Sequence, residues 1–196
     1  GAVGNVAVGF AAMDANTTGA NNVAVGLDAL GANTTGSSNT AIGANALKAG
    51  TTGVNNTAIG KDALLVQNGA TGNTAVGALS GDALTTGIDN VAIGLNALGA
   101  ETTGVNNVAI GKDALLVQAG ATGNVAVGKS AGDAITTGAN NVAVGLDALG
   151  AETTGVSNVA IGKDALKAQA GAINNIGIGV GAGDALTTGA SNVAIG

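Results

Sequence analysis

The chain has 196 residues, a formal charge of −6 and one aromatic residue, Phe10, with no Trp, Tyr, Pro, Cys or His. A globular core of this length draws heavily on aromatic burial, so an ordinary compact domain is excluded. Collagen is excluded by the missing Pro and by the absence of a three-residue Gly period. All six cations are Lys, and they form no basic patch, so nucleic acid has no electrostatic footprint here. Disorder goes with low hydrophobicity, whereas 46% of this chain is hydrophobic. No run of about 20 apolar residues offers a transmembrane span.

The first element in chain order is Asn5-Val6-Ala7-Val8-Gly9. It returns as Asn22-Val23-Ala24-Val25-Gly26, then as Asn39-Thr40-Ala41-Ile42-Gly43, and so on to Asn192-Val193-Ala194-Ile195-Gly196. The leading Asn recurs with a 17-residue period from position 5 to position 192, without one insertion. A fixed short period is the signature of a stacked repeat architecture.

Within the unit from Asn22 to Ser38, the alternating, β-branched run Asn22–Gly26 predicts a strand. Gly26 marks its end. A second apolar patch at Ala29, Leu30 and Ala32 predicts a second short strand. Asn33-Thr34-Thr35-Gly36-Ser37-Ser38 is turn chemistry. Two strands and two turns in each 17-residue unit make one coil of a parallel β-solenoid. Coils stacked about 4.8 Å apart give a rod roughly 50 Å long. The chain is expected to be all-β, a single solenoid domain over residues 1–196, read as a piece of a longer fibre because both ends fall inside the repeat.

The two faces of the first strand carry different expectations. The Val25 position is always Val or Ile, which reads as coil interior. The Ala24 position is Ala in every repeat except Gly177, which reads as a face held small by another rod lying against it. In the second patch, the Leu30 position is Leu or Met13 except at Gly81, Gly132 and Gly183. In those coils a large residue stands three positions later, as Leu84, Ile135 and Leu186. That exchange conserves volume in a shared core. A 51-residue superrepeat begins at Asn56 and restarts at Asn107 and Asn158. With a core this thin, side-by-side association is expected, since limited burial favours oligomers.

Several stretches imitate chemical motifs. Gly123-Asn124-Val125-Ala126-Val127-Gly128-Lys129-Ser130 fits the P-loop pattern letter for letter, but that loop needs a strand before it and a helix after it. Here the would-be loop is the repeating strand. Gly177–Gly183 fits a dinucleotide pattern only loosely and has no βαβ unit around it. Asp28, Asp62, Asp113, Asp147 and Asp164 share one coil position, and Asp82, Asp133 and Asp184 share another. The nonapeptide of calcium β-rolls is absent, and solvated turn carboxylates are the simpler reading. Lys61, Lys112 and Lys163 precede three of those Asp residues and read as surface charge. The Thr-Thr-Gly row, as at Thr34-Thr35, raises an ice-binding alternative, but it breaks at Asn68-Gly69, Ala119-Gly120 and Ala170-Gly171. The Asn row reads as a stacked ladder that bonds turn backbone. With no His or Cys and no unique polar cluster, no catalytic, cofactor-binding or metal site is assigned, and no enzyme activity is expected.

The repeat core, as in Asn158-Val159-Ala160-Ile161-Gly162, resembles the head repeat of trimeric autotransporter adhesins, the YadA-like head, over essentially the whole chain. The resemblance implies a left-handed parallel β-roll and a side-by-side homotrimer. It further implies a place on an extracellular, bacterial surface-anchored fibre that attaches to host, matrix or other cells. The 17-residue coil is longer than the usual head repeat, and the stalk and membrane anchor of that family are absent from this sequence. The shaft of a phage or phage-like tail fibre is the alternative expectation. No nucleic-acid partner and no membrane insertion are expected for this segment.

Overall fold

The structure, a computed structural model, describes residues 2–196. Twelve three-residue strands follow one another: β1 (Val6–Val8), β2 (Val23–Val25), β3 (Thr40–Ile42), β4 (Thr57–Ile59), β5 (Thr74–Val76), β6 (Val91–Ile93), β7 (Val108–Ile110), β8 (Val125–Val127), β9 (Val142–Val144), β10 (Val159–Ile161), β11 (Ile176–Ile178) and β12 (Val193–Ile195). They form one parallel sheet in sequence order. The register equals the repeat, so Ala92 lies beside Ala109 and Ile93 beside Ile110. The chain is therefore a parallel β-solenoid of 17-residue coils, with no helix among the described residues.

Each strand ends at a glycine for two reasons that act together. Gly94 has φ +131°, and a Cβ there would come within 2.6 Å of the Gly111 carbonyl oxygen in the next coil. Conformation and stacking both demand the missing side chain.

The second patch is not a strand. Asp28 and Leu30 have φ of +52° and +51°, so the backbone alternates in and out of the left-handed region and curls into a turn. It still bonds to its neighbours like a strand, with the Leu30 N–H donating to Ala46 O at 3.0 Å and the Ala32 N–H to Lys48 O at 2.9 Å. A left-handed leucine costs about 1–2 kcal/mol. Full burial of its side chain contributes roughly 1.5–3 kcal/mol, which offsets that strain. Local apolar patterning could not reveal this curl, because the periodic core residues are the same in either geometry.

The face assignment of the strand is inverted. Ala92 and Ala109 are 3% and 0% exposed, while Ile93 and Ile110 are 37% and 36% exposed. The alanine row packs inside the coil against the Ala29- and Leu30-type residues. It stays small because the coil is narrow: a Cβ on Gly177 would stand 2.7 Å from Leu166 Cγ. The expected neighbour against the alanines is thus the chain's own opposite wall. The first and third strand residues point outward, and they are Val or Ile everywhere except Thr40, Thr57 and Thr74.

The volume exchange does hold. Leu84 and Ile135 are buried where Gly81 and Gly132 stand, and Leu186 packs against the core beside Gly183. The three glycines occupy the left-handed position that leucine takes elsewhere, with φ between +56° and +65°.

The asparagine row forms the buried polar spine. Asn22 donates through Nδ2 to Gly36 O at 2.8 Å, and its Oδ1 accepts the Asn39 N–H at 2.9 Å. The same pair of bonds recurs up the rod, closing each turn and tying it to the next coil. Each coil leans on its neighbours alone, so stability sums along the stack.

Candidate functional site

The outward strand face is left uncovered along the whole sheet, with Ile42, Ile59, Ile93, Ile110 and Ile161 exposed on it. Its two columns run the length of the sheet, a stripe roughly 50 Å by 10 Å from strand spacing. Exposed Leu27, Leu95 and Leu146 follow the strand-ending glycines, and exposed Ile88, Val156 and Ile173 precede the next asparagine. With these flanks the apolar area reaches about 500–1,000 Å², whereas isolated proteins rarely expose a patch larger than about 300–600 Å². A stable interface takes about 800 Å² from each partner.

The carboxylates of the Asp28 position are held by ion pairs and amides. Lys61 Nζ lies 2.7 Å from Asp62 Oδ2, and Asn45 Nδ2 donates to Asp62 Oδ1 at 2.8 Å. These two hydrogen bonds, Lys61 first, hold the Asp62 carboxyl below its usual range. Asp62 is itself buried, so the reading of this row as plainly solvated fails there. Lys167 bridges Asp164 at 2.7 Å and Asp147 at 3.2 Å, which lowers the Asp164 pKa and raises that of Lys167. In the other acidic row, burial pushes the Asp82 and Asp133 carboxyls up. Among the described residues no three His, Cys, Asp or Glu side chains converge as metal ligands.

Residues Gly123–Ser130 lie on β8 and the turn after it. Their amides are occupied by neighbouring coils: Val125 N–H donates to Asn141 O at 2.8 Å, Gly128 N–H to Ile110 O at 2.8 Å and Ser130 N–H to Lys112 O at 3.0 Å. Gly177–Gly183 likewise runs through β11 into a turn. In the Thr-Thr-Gly row the first hydroxyl bonds backbone, as from Thr34 to Thr51 O at 3.0 Å and from Thr136 to Thr153 O at 2.9 Å. The second Thr is exposed in each pair, and the first is exposed as well at Thr17, Thr102 and Thr187. A shallow concavity runs over Ala170–Ile173 and Thr188–Ala190, and its lining has no ionisable group.

One device escaped the sequence reading. Glu101 and Glu152 are wholly buried. Glu101 Oε1 accepts the N–H groups of Thr102 at 2.7 Å, Thr103 at 2.9 Å, Gly104 at 2.7 Å and, from the next coil, Gly120 at 2.8 Å. Glu152 repeats the cradle with Thr153, Thr154, Gly155 and Gly171. A carboxylate gathering several backbone donors is a strong, charge-assisted staple. The available signal was the pairing of Glu-Thr-Thr-Gly with a Gln-Ala-Gly loop in the following coil. Comparison with protein-family models, with curated proteins and with solved structures finds no match to this chain.

Proposed function

We propose that this chain is a structural and adhesive rod segment of a bacterial cell-surface fibre, assembled as a side-by-side homotrimer. The observation that carries the reading is the outward Val and Ile face. It runs through all twelve strands, with Thr in place of Val or Ile only at Thr40, Thr57 and Thr74, and nothing among the described residues covers it. Three copies meeting along this face would bury it from end to end. The loops of the opposite side would stay outward, where repeated weak contacts to a matrix or cell surface add as avidity. The resemblance of the repeat to adhesin heads points the same way. So does the stiffness expected of a stack in which every coil is bonded to the next.

The adhesive part is tested with beads carrying the assembled rod at graded density, presented to cells and to matrix-coated surfaces. Adhesion should rise steeply with rod density, faster than in proportion to the number of rods. Absence of adhesion at every density would remove the adhesive role and leave a spacer.

A further inference from the structure

The outward face has a problem that its uniformity creates. Val and Ile repeat once per coil, so two copies sliding by whole coils still set apolar side chain against apolar side chain. Uniform faces specify register weakly. The superrepeat sharpens the difficulty. Residues 56–106 and 107–157 differ at only twelve of 51 positions, so a slip of three coils matches most of the surface again.

Three residues break the pattern. Thr40, Thr57 and Thr74 occupy the first outward strand position in three consecutive coils, and every other coil has Val or Ile there. All three are half-buried on the open face. The loop hydroxyls of Thr17, Thr34, Thr85 and Thr136 bond a backbone oxygen of the next coil, whereas the side chains of Thr40, Thr57 and Thr74 make no hydrogen bond among the described residues. Within the superrepeat, Thr57 against Val108 and Thr74 against Val125 are the only changes of polarity on the strand face.

We propose that Thr40, Thr57 and Thr74 set the axial register in which copies of this chain associate. The inference rests on the association proposed above, with a second copy of the chain as the occupant of the face. In register, the three hydroxyls of one chain meet the same three of its neighbours and can exchange hydrogen bonds across the contact. After a slip of three coils, each hydroxyl faces Val in a dry interface and loses its partner. A polar group stranded in this way is disfavoured, as a lone buried Asn fixes the register of a coiled coil. A slip of one coil strands only the ends of the block, so the bias grows with the shift.

The chain has no cysteine, which permits a direct test by disulfide trapping. Ile93→Cys and Val144→Cys mark outward positions three coils apart. Chains with either change, one of them tagged, are mixed, refolded together and oxidised. Cross-chain 93–93 disulfides report the in-register assembly, and 93–144 disulfides report the three-coil slip, because an unshifted pair lies about 14 Å apart along the rod, beyond disulfide reach. The 93–144 product should be scarce with the native threonines. It should rise about tenfold or more, the scale of stranding even one of the three hydroxyls, in the Thr40→Val/Thr57→Val/Thr74→Val background. Those substitutions are near-isosteric and remove no bond within the chain, and circular dichroism checks the fold. An assembly whose 93–144 yield is the same in both backgrounds overturns the register role alone. A folded chain with the mass of one copy overturns the association itself, and the register role with it. An assembly that never forms the 93–93 disulfide overturns this face as the contact.

Discussion

Replacing Asn107 with alanine should destabilise the rod by about 3–6 kcal/mol, the cost of stranding three buried polar groups. The side chain donates to Ala121 O at 2.8 Å and Asn90 Oδ1 at 3.1 Å, and it accepts from the Asn124 N–H at 2.9 Å and Gln118 Nε2 at 3.0 Å. Alanine leaves the Ala121 carbonyl, the Asn124 amide and the Gln118 amide without partners. Asn90 Oδ1 keeps the Asn107 N–H at 2.9 Å and is spared. Each stranded buried group costs roughly 1–2 kcal/mol at the lower end of the usual range, and three of them give the figure. The assay is urea unfolding followed by far-ultraviolet circular dichroism at one fixed protein concentration, because association adds to apparent stability. Val108→Ala, one residue on and facing outward, serves as the control for folding stability at matched assembly state. A loss for Asn107→Ala below about 1 kcal/mol, the net worth of one ordinary hydrogen bond, would refute the asparagine row as the polar spine of the stack.

Other perturbations separate the remaining contributions. Glu101→Ala strands the buried Gly104 amide and unties Gly120 of the next coil, and should cost about 2–4 kcal/mol. Amide exchange at Gly104 and Gly120 should quicken at the same time, and unchanged exchange at both would deny the staple. Gly94→Ala combines a strained φ with a Cβ against the Gly111 carbonyl, and should lower stability by about 2–4 kcal/mol in the same unfolding assay. Asp82 and Asp133 have carboxyl pKa values raised by burial. The folded state therefore favours their protonated forms, and their contribution is present below the ordinary carboxylate pKa and lost as pH rises through the raised value. Asp133→Asn should thus raise the melting temperature at neutral pH and lose that advantage in acid. Asp62 has the opposite sign. Its lowered pKa contributes stability above the ordinary value, lost as pH falls through the lowered one, so Asp62→Asn should flatten the acid limb of a melting-temperature profile.

The coil length, the parallel stacking, the asparagine ladder and the exchange of Leu for Gly with Leu84 or Ile135 were all legible in the sequence. Each follows from periodicity or from conserved volume, and neither depends on which way a side chain points. The strand faces were not legible. Alternation shows that Ala24 and Val25 point opposite ways, but it leaves open which way is inward. Constancy of alanine looked like close approach of a second rod, when the narrowness of the coil itself imposes it. The curl at Asp28–Leu30 was hidden because non-glycine residues with positive φ are uncommon, and its one signal, Gly81, Gly132 and Gly183 at the Leu30 position, also fitted a plain exchange of volume. Glu101 and Glu152 were hidden because burial of a carboxylate is decided by donors from two coils. A single unit read alone contains only some of them.

The proposed meeting of copies through the outward Val and Ile face can be decided by sedimentation equilibrium on paired variants. The native chain should have the mass of three 18.0 kDa copies. Ile93→Glu/Ile110→Glu places two charges on the outward face and should yield a folded chain with the mass of one copy. Ala92→Glu/Ala109→Glu places them inside the coil and should disrupt the fold. An Ile93→Glu/Ile110→Glu protein that keeps the native mass would contradict the account.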